Sequence, residues 1–348
     1  MPKPEPSVLH VLPHPGGGGE TYVDFLSEMP GYRSTRVYLA PSPTPTPSEL
    51  VRGVAHAYRA GRDHDLLHGH GEVASGLCLP LLAARPSAVT LNGLHLLRRA
   101  TGPHRTAAVL NLRALISATD QMICVSHAEH GYLSAVVGAG AGHRAVVIRN
   151  GVRLPPFVDE SERTAVRTEL GLDTSEPVGI WVGSLDERKD PLAAISAATT
   201  ASVALLVVGD GPLRSQVEIA TGDQVRVLGH RGDVPRLLAS ADFYVQTSHR
   251  EGLALSLLEA MAHGVIPVVN HLPENVEAVG DAGIVVPSGD EAALVAALRR
   301  VGENERARAD LGERARRRID KLFNADEMIA RTRAVYDDVL SNMPATRE

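Results

Sequence analysis

The sequence predicts an α/β protein built from two parallel-sheet domains, and three observations carry that expectation. Short apolar runs of strand length alternate with helix-length segments in both halves of the chain, the pattern of a parallel sheet covered by helices on both faces. Glycines and polar residues gather just after those runs, as in PHPGGGGE, HGHGE and TSHREG, where ligands bind in open α/β sheets. A chain of 348 residues suits two domains better than one.

In the first half, Ser7–Leu12 reads as a buried strand running into PHPGGGGE, with a helix from about Glu20 to Met29. Gly17, Gly18 and Gly19 sit between strand and helix, where a backbone without side chains approaches a ligand closely. A plain flexible turn is the other reading. The dinucleotide fingerprint does not fit, because its third glycine, counted from Gly16, falls on Thr21; no Gly-Lys-Ser/Thr of a P-loop follows either. Arg36–Ala40 reads as a strand, PSPTPTP as a stiff loop, and Ser48 as the cap of a helix to about Gly61. Asp65–His70 is a strand followed by helix through Ala84. Ala88–Leu91 is the next strand, then a helix over Arg105–Ala118 and the strand Gln121–Val125. His68 and His70 point to one face. With Glu72 they suggest a metal, but no third ligand stands at a recognised zinc spacing, and no metal is assigned. His70, Asn92, His95 and His127 lie at or just beyond strand ends.

Asn150–Asp159, with Pro155-Pro156, reads as a linker, and a helix follows near Ser161–Leu170. Val178–Val182 is a strand leading into GSLDERKDP, which carries Arg188 and Lys189; a helix starts at Pro191. Ala204–Val208 ends in GDGP, and Val225–Leu228 ends in GHRGD, which carries His230 and Arg231. Phe243–Gln246 ends in TSHREG and delivers Glu251. Residues 303–322 form a charged helix, and a final helix over about Asp326–Leu340 has an apolar stripe of Ile329, Val335, Tyr336 and Val339.

Within Glu251–Asn270, EGLALSLLEAMAHGVIPVVN, two carboxylates, Glu251 and Glu259, have seven residues between them. Leu253–Ala262 reads as a helix whose only polar residues are Ser256 and Glu259. A carboxylate on an apolar helix is costly to bury without partners, which points to ligand hydroxyls as its hydrogen-bond donors. The amides of Leu253, Ala254, Leu255 and Ser256 at the helix start suit a phosphate. A solvated helix face and an N-terminal helix charge are the plain alternatives for Glu259 and Glu251. A lysine after a strand, as Lys189 is, can neutralise a diphosphate leaving group; a solvated surface lysine is the plain alternative.

The two glutamates and the trailing E-A-M-A-x-G-x-I-P-V-V resemble the Glu-x7-Glu signature of glycosyltransferase family 4, retaining enzymes of GT-B architecture. HGH at 68–70, VSHA at 125–128, VIRNGV at 147–152 and V-G-S-L-x4-K-D-P are similar to further segments of that family. The resemblance covers nearly the whole chain and is strongest over 178–290. It implies two Rossmann-like domains with parallel sheets facing a deep cleft: residues 1–155 on the acceptor side, 156–325 on the nucleotide-sugar side, and a C-terminal helix within 326–348 crossing back to the first. It implies that Glu259 binds ribose hydroxyls and that Glu251 holds the donor sugar near its 3-hydroxyl. Leu253 and Ala254 amides would touch the sugar, Leu255 and Ser256 amides the phosphate. Lys189 with Arg188 would stabilise the departing diphosphate, and His230-Arg231 would lie beside the base. The Gly17–Gly19 loop would face the donor phosphates, and His70, His95 and His127 become acceptor-side candidates. Two positions depart from the pattern: Ser184 replaces the usual arginine, and Asn92 replaces a histidine at the cleft. Asn92 hydrogen-bonds but cannot exchange a proton; His95, three residues on, is the nearest substitute. Asp63-His64-Asp65 has the form of the metal motif of the other major glycosyltransferase fold, but it precedes its strand and reads as loop.

Composition narrows the rest. Apolar residues make up 44% and aromatics 3%, so Ala, Leu and Val supply the cores. A net charge of −6 argues against nucleic acid as a partner. The arginines from Arg306 to Arg318 are interleaved with acids and read as a solvated helix face, with membrane-surface contact the weaker alternative. Cys78 and Cys124 read as core residues of a reduced compartment. No run has the length of a secretory or membrane-spanning segment, so a soluble, cytoplasmic protein is expected. The expected activity is retaining, metal-independent hexosyl transfer from a nucleotide sugar, with UDP as the expected carrier, to a hydroxyl acceptor. No cofactor is expected beyond the donor as co-substrate. The acceptor stays open between a small molecule, a lipid and a polysaccharide, and so does the oligomeric state. A nonhydrolysing sugar-nucleotide epimerase and a catalytically weakened binding relative are the alternatives.

Overall fold

A computed structural model describes residues 5–138, 140, 144–156, 160–172, 176–303 and 305–342. The chain forms two compact units, one of Met1–Asn150 with Ala325–Glu348, the other of Gly151–Asn324. Part of the linker at 150–159 lies outside the described residues. No described helix is long and apolar enough to cross a membrane.

The first unit is a six-stranded parallel sheet. Its strands are β1 (Ser7–Leu12), β2 (Arg33–Tyr38), β3 (Leu66–His70), β4 (Ser87–Thr90), β5 (Gln121–Cys124) and β6 (Ala145–Val147), in the order β2-β1-β3-β4-β5-β6. β1, β3 and β4 are buried along their whole length, as a sheet covered on both faces requires. β2 is an edge strand, and its Arg33 and Thr35 face solvent. One face packs an aliphatic core that includes Leu9, Val11, Leu67 and Val89. On the other face lie Tyr22, from the helix Gly18–Ser27, and Tyr336, from the last helix, Ala325–Ser341. In that last helix Ile329, Tyr336 and Val339 are buried as the stripe predicts; Thr332 is buried with them and Val335 is only half-buried.

The second unit repeats the plan with β7 (Val178–Val182), β8 (Ala204–Val208), β9 (Val225–Gly229), β10 (Phe243–Gln246), β11 (Ile266–Asn270) and β12 (Ile284–Val286), in the order β12-β11-β10-β7-β8-β9. All described pairings are parallel. The strand order reverses between β1 and β3 in one sheet and between β7 and β10 in the other. Loops that diverge at such a switch point leave a crevice beyond the carboxyl ends, the usual ligand position in this architecture.

Several expected boundaries move. The cap of the helix Pro47–Ala60 is Thr46, not Ser48; Thr46 and Glu49 form a capping box. The segment after β3 is two short helices, Glu72–Leu77 and Leu79–Ala84, divided at Cys78 ahead of Pro80. His127–Val137 is a helix, where the sequence pattern predicts only the strand before it. The charged helix starts at Glu305, after a separate helix Glu291–Glu303. Both cysteines are free and buried, and burial pushes the Cys78 thiol up to about 11 and the Cys124 thiol higher still. They are inert core residues.

Candidate functional site

In the second unit the predicted residues meet at the β7/β10 switch point. Gly209 lets β7 and β8 end in close approach: a Cβ there would stand 1.8 Å from the Gly183 carbonyl oxygen. The loop after β7 then turns through Asp186, whose carboxylate accepts from the Lys189 amide at 2.9 Å. Asp190, left-handed at φ 47°, caps the helix Pro191–Ala201. The loop after β10 is tied to it. Thr247 Oγ1 donates to the Asp190 carbonyl at 2.6 Å, and the His249 amide donates to the Arg188 carbonyl at 2.8 Å.

This tie delivers Glu251 to Lys189. Lys189 Nζ donates to Glu251 Oε1 at 2.6 Å, and Arg188 Nη1 lies 3.7 Å from Oε2. Glu251 is 4% exposed. Burial alone would push its carboxyl up, but Lys189 and Arg188 outweigh burial and hold it below the usual carboxylate range. The site therefore contains an ionised glutamate with two cations on one side.

The helix that follows runs over Leu255–Ala262, two residues later than the sequence predicts. Ala254 is extended and stands at the cap position, and no side chain caps the helix. The first-turn amides are those of Leu255, Ser256 and Leu257; Leu253 and Ala254 precede the helix as buried backbone. The Ser256 hydroxyl is turned onto Tyr244 Oη at 2.9 Å, so its backbone and not its side chain is offered to a ligand. One turn on, Glu259 is flanked by buried Leu258 and Ala260. Among the described residues its carboxylate has no hydrogen-bond or ion-pair partner. Burial pushes its pKa up to about 7. At the end of β9, His230 is exposed, and Arg231 is held by Asp233 through two bonds of 2.8 Å.

In the first unit the candidates line the carboxyl edge of the sheet. Gly17, at φ 77°, is the N-cap of the helix after β1, so Gly18 and Gly19 lie in that helix's first turn. His127 is the exposed first residue of its helix, which Ser126 caps through the Glu129 amide. His70, the last residue of β3, is closed off: it is 1% exposed and packs against His10 and His68. Glu72 does not join those histidines. Its carboxylate accepts from the Leu96 and Leu97 amides, the latter at 3.1 Å.

The loop after β4 carries Asn92 and His95 and is strained. Asn92, Gly93 and Leu94 are left-handed in succession, at φ 56°, 109° and 51°. A buried leucine in that region persists only where its surroundings fix it. Two buried carboxylates do so: Glu72 below the short helix His95–Arg99, and Glu129, which accepts from the Gly93 and Val125 amides. The sequence offered only a faint signal for both, a glutamate in the first turn after a strand. Glu129→Ala removes the acceptor of two buried amides and is expected to cost about 2–4 kcal/mol. Urea unfolding of the variant checks it, with Glu129→Gln expected to lose less.

Comparison with known proteins places these residues in context. A family model described as Glycosyl transferases group 1 matches residues 162–318, and one described as Glycosyltransferase Family 4 matches residues 9–154. The N-acetyl-alpha-D-glucosaminyl L-malate synthase of Bacillus anthracis is 26% identical over 317 residues, covering 84% of this chain and 80% of that protein. The D-inositol 3-phosphate glycosyltransferase of Segniliparus rotundus is 28% identical over 82% of this chain and 69% of its own. Among solved structures, sucrose-phosphate synthase from Thermosynechococcus elongatus superposes with a TM-score of 0.81 at 20% identity, over 97% of this chain and 100% of that one. Anabaena HepE in complex with UDP and glucose gives 0.80 at 18%, over 96% and 100%. At such identities the superpositions speak for the fold.

Proposed function

We propose, from the premise that this chain belongs to the family 4-like glycosyltransferases and carries their GT-B fold, that it is a retaining, metal-independent hexosyltransferase using a UDP-sugar. The observation that carries the reading is the unpartnered Glu259 carboxylate, one turn beyond uncapped helix amides and eight positions after an ionised Glu251. A half-buried carboxylate without a donor has given up part of its hydration uncompensated, and a ribose diol supplies two donors. UDP as the carrier draws support from HepE, whose solved complexes hold UDP and glucose.

In this reading the donor diphosphate meets the Leu255 and Ser256 amides and the Lys189 and Arg188 cations. The bond between the anomeric carbon and the phosphate oxygen breaks. The acceptor hydroxyl adds from the same face, and its proton passes to the departing phosphate, giving UDP and a glycoside of unchanged configuration. Lys189 and Arg188 stabilise the charge growing on the leaving group, which is where electrostatic preorganisation contributes most. Glu251 orients both cations and accepts from a sugar hydroxyl. Small hydroxyl acceptors bearing an anionic group are the substrate class that the names of the two relatives favour.

The test is transfer from UDP-glucose or UDP-N-acetylglucosamine to hydroxy acids and phosphorylated polyols, with and without EDTA. Acceptor-dependent UDP release, unchanged by EDTA and giving an α-glycoside, is expected. An inverted product, or activity lost to EDTA and restored by magnesium, would overturn it.

A further inference from the structure

One face of the first sheet is polar where a buried parallel sheet is ordinarily aliphatic. His10 on β1 and His68 on β3 are register partners, and His70 lies two residues on, on the same face. All three are 1% exposed or less. Their ring centroids are 4.2 Å apart for His68–His70, 5.2 Å for His10–His70 and 5.5 Å for His10–His68. One nitrogen from each ring lies within 4.8 Å of the others.

The hydrogen bonds of this cluster do not close. His68 Nδ1 meets the Tyr336 hydroxyl at 2.6 Å, and its Nε2 meets Thr90 Oγ1 at 2.8 Å. His10 Nδ1 meets His70 Nε2 at 3.0 Å, and Ser34 Oγ stands 3.4 Å from His10 Nε2. His70 Nδ1 is buried without a partner. Neither neutral tautomer of His70 repairs this. If His70 Nε2 accepts from His10, Nδ1 carries a proton with no acceptor. If Nε2 donates, Nδ1 is a lone pair with no donor. Either state leaves a buried polar atom unsatisfied, which is costly. Three buried imidazoles whose nitrogens converge in one enclosed place are a ligand set for a metal ion.

We infer that His10, His68 and His70 form a buried transition-metal site, separate from the sugar-nucleotide residues of the second unit and independent of the proposed transfer reaction. The donor set is all nitrogen, with no carboxylate in the triad. That selects zinc, or copper and nickel of similar nitrogen preference, over magnesium and calcium. The Tyr336 hydroxyl is the oxygen group placed to complete the coordination; Thr90 is placed to orient His68 from its other nitrogen, and Ser34 stands at the far nitrogen of His10. The ion would tie β1 to β3 beneath the last helix. Because the cluster is closed, the ion is acquired as the chain folds.

The test therefore passes through refolding. The full chain is unfolded in guanidinium with chelator, then refolded with zinc sulfate, with cobalt(II), or with neither, and dialysed against EDTA before elemental analysis. About one zinc per chain retained, a visible cobalt absorption band typical of nitrogen coordination, and a raised thermal midpoint are expected. His70→Gln and His10→Gln should each reduce retention to below about a tenth of that, while His56→Ala, an exposed histidine, should leave it unchanged. Wild-type protein that refolds with neither retained zinc nor a cobalt band would overturn the site. So would retention undiminished in both folded variants, which places the ion elsewhere. Should the variants fail to fold, the wild-type cobalt spectrum decides, since a band without nitrogen-ligand character contradicts the triad.

Discussion

Replacing Glu251 with alanine is expected to abolish transfer and to lower stability together. The rate loss should reach at least about a thousandfold in kcat, because in the proposed mechanism Glu251 aims Lys189 and Arg188 at the leaving phosphate. The stability loss has a separate cause. Lys189 and Glu251 are 12% and 5% exposed at their side chains and 2.6 Å apart. Removing one partner of so buried a pair leaves an uncompensated charge, a cost of about 3 kcal/mol. Glu251→Gln keeps the shape but not the charge, and should recover part of the stability and little of the rate. Steady-state kinetics beside urea unfolding separates the two effects. Unchanged turnover in the alanine variant would remove Glu251 from the reaction.

Glu259→Gln is expected to move stability and binding in opposite directions. The carboxyl titrates near 7 in the folded chain because burial penalises its charge. In the unfolded chain it titrates at the ordinary value of 4.5. The unfolded state therefore releases its proton first as pH rises, and stability falls between those two values. At pH 8 the half-buried charge costs at most about 3 kcal/mol. Glutamine avoids the charge while keeping a polar group, so a gain of about 1–3 kcal/mol at pH 8 and little change at pH 4 is expected. Nucleotide binding should weaken, since in the proposed reading the carboxylate accepts from the ribose. Because that acceptor must be ionised, wild-type affinity for a UDP-sugar should rise about tenfold from pH 6 to pH 8, and the variant should lose that slope. A glutamate without a ligand role would show the stability change alone.

The parts of the fold readable from the sequence are those with strong local signals. β7, β8 and β10 begin and end where the pattern places them, because their aliphatic and aromatic runs are bounded by Gly, Asp and Thr. The Leu255–Ala262 helix starts late because Leu253 and Ala254 are apolar and carry no cap signal, although Ala254 is extended. The helices His95–Arg99 and His127–Val137 begin within polar strand-end segments that mask their start. The site divides in the same way. Glu251 and Glu259 stand out locally as carboxylates in apolar sequence. The contact of Lys189 with Glu251, 62 residues apart, depends on β7 lying beside β10. His10 joins His68 and His70 only because β1 pairs with β3, so no spacing rule finds it. The bracing of the Asn92 loop by Glu72 and Glu129 is likewise tertiary.

The measurement that tests the central claim most directly is calorimetric titration of the purified chain with UDP, GDP and ADP, then with the matching sugar nucleotides, in EDTA. The account predicts one site per chain that prefers a single nucleotide series, with a dissociation constant in the micromolar range, about −8 kcal/mol, weakened by Glu259→Gln. Absence of binding by all of them, or binding that appears only when a divalent cation is added, would contradict it.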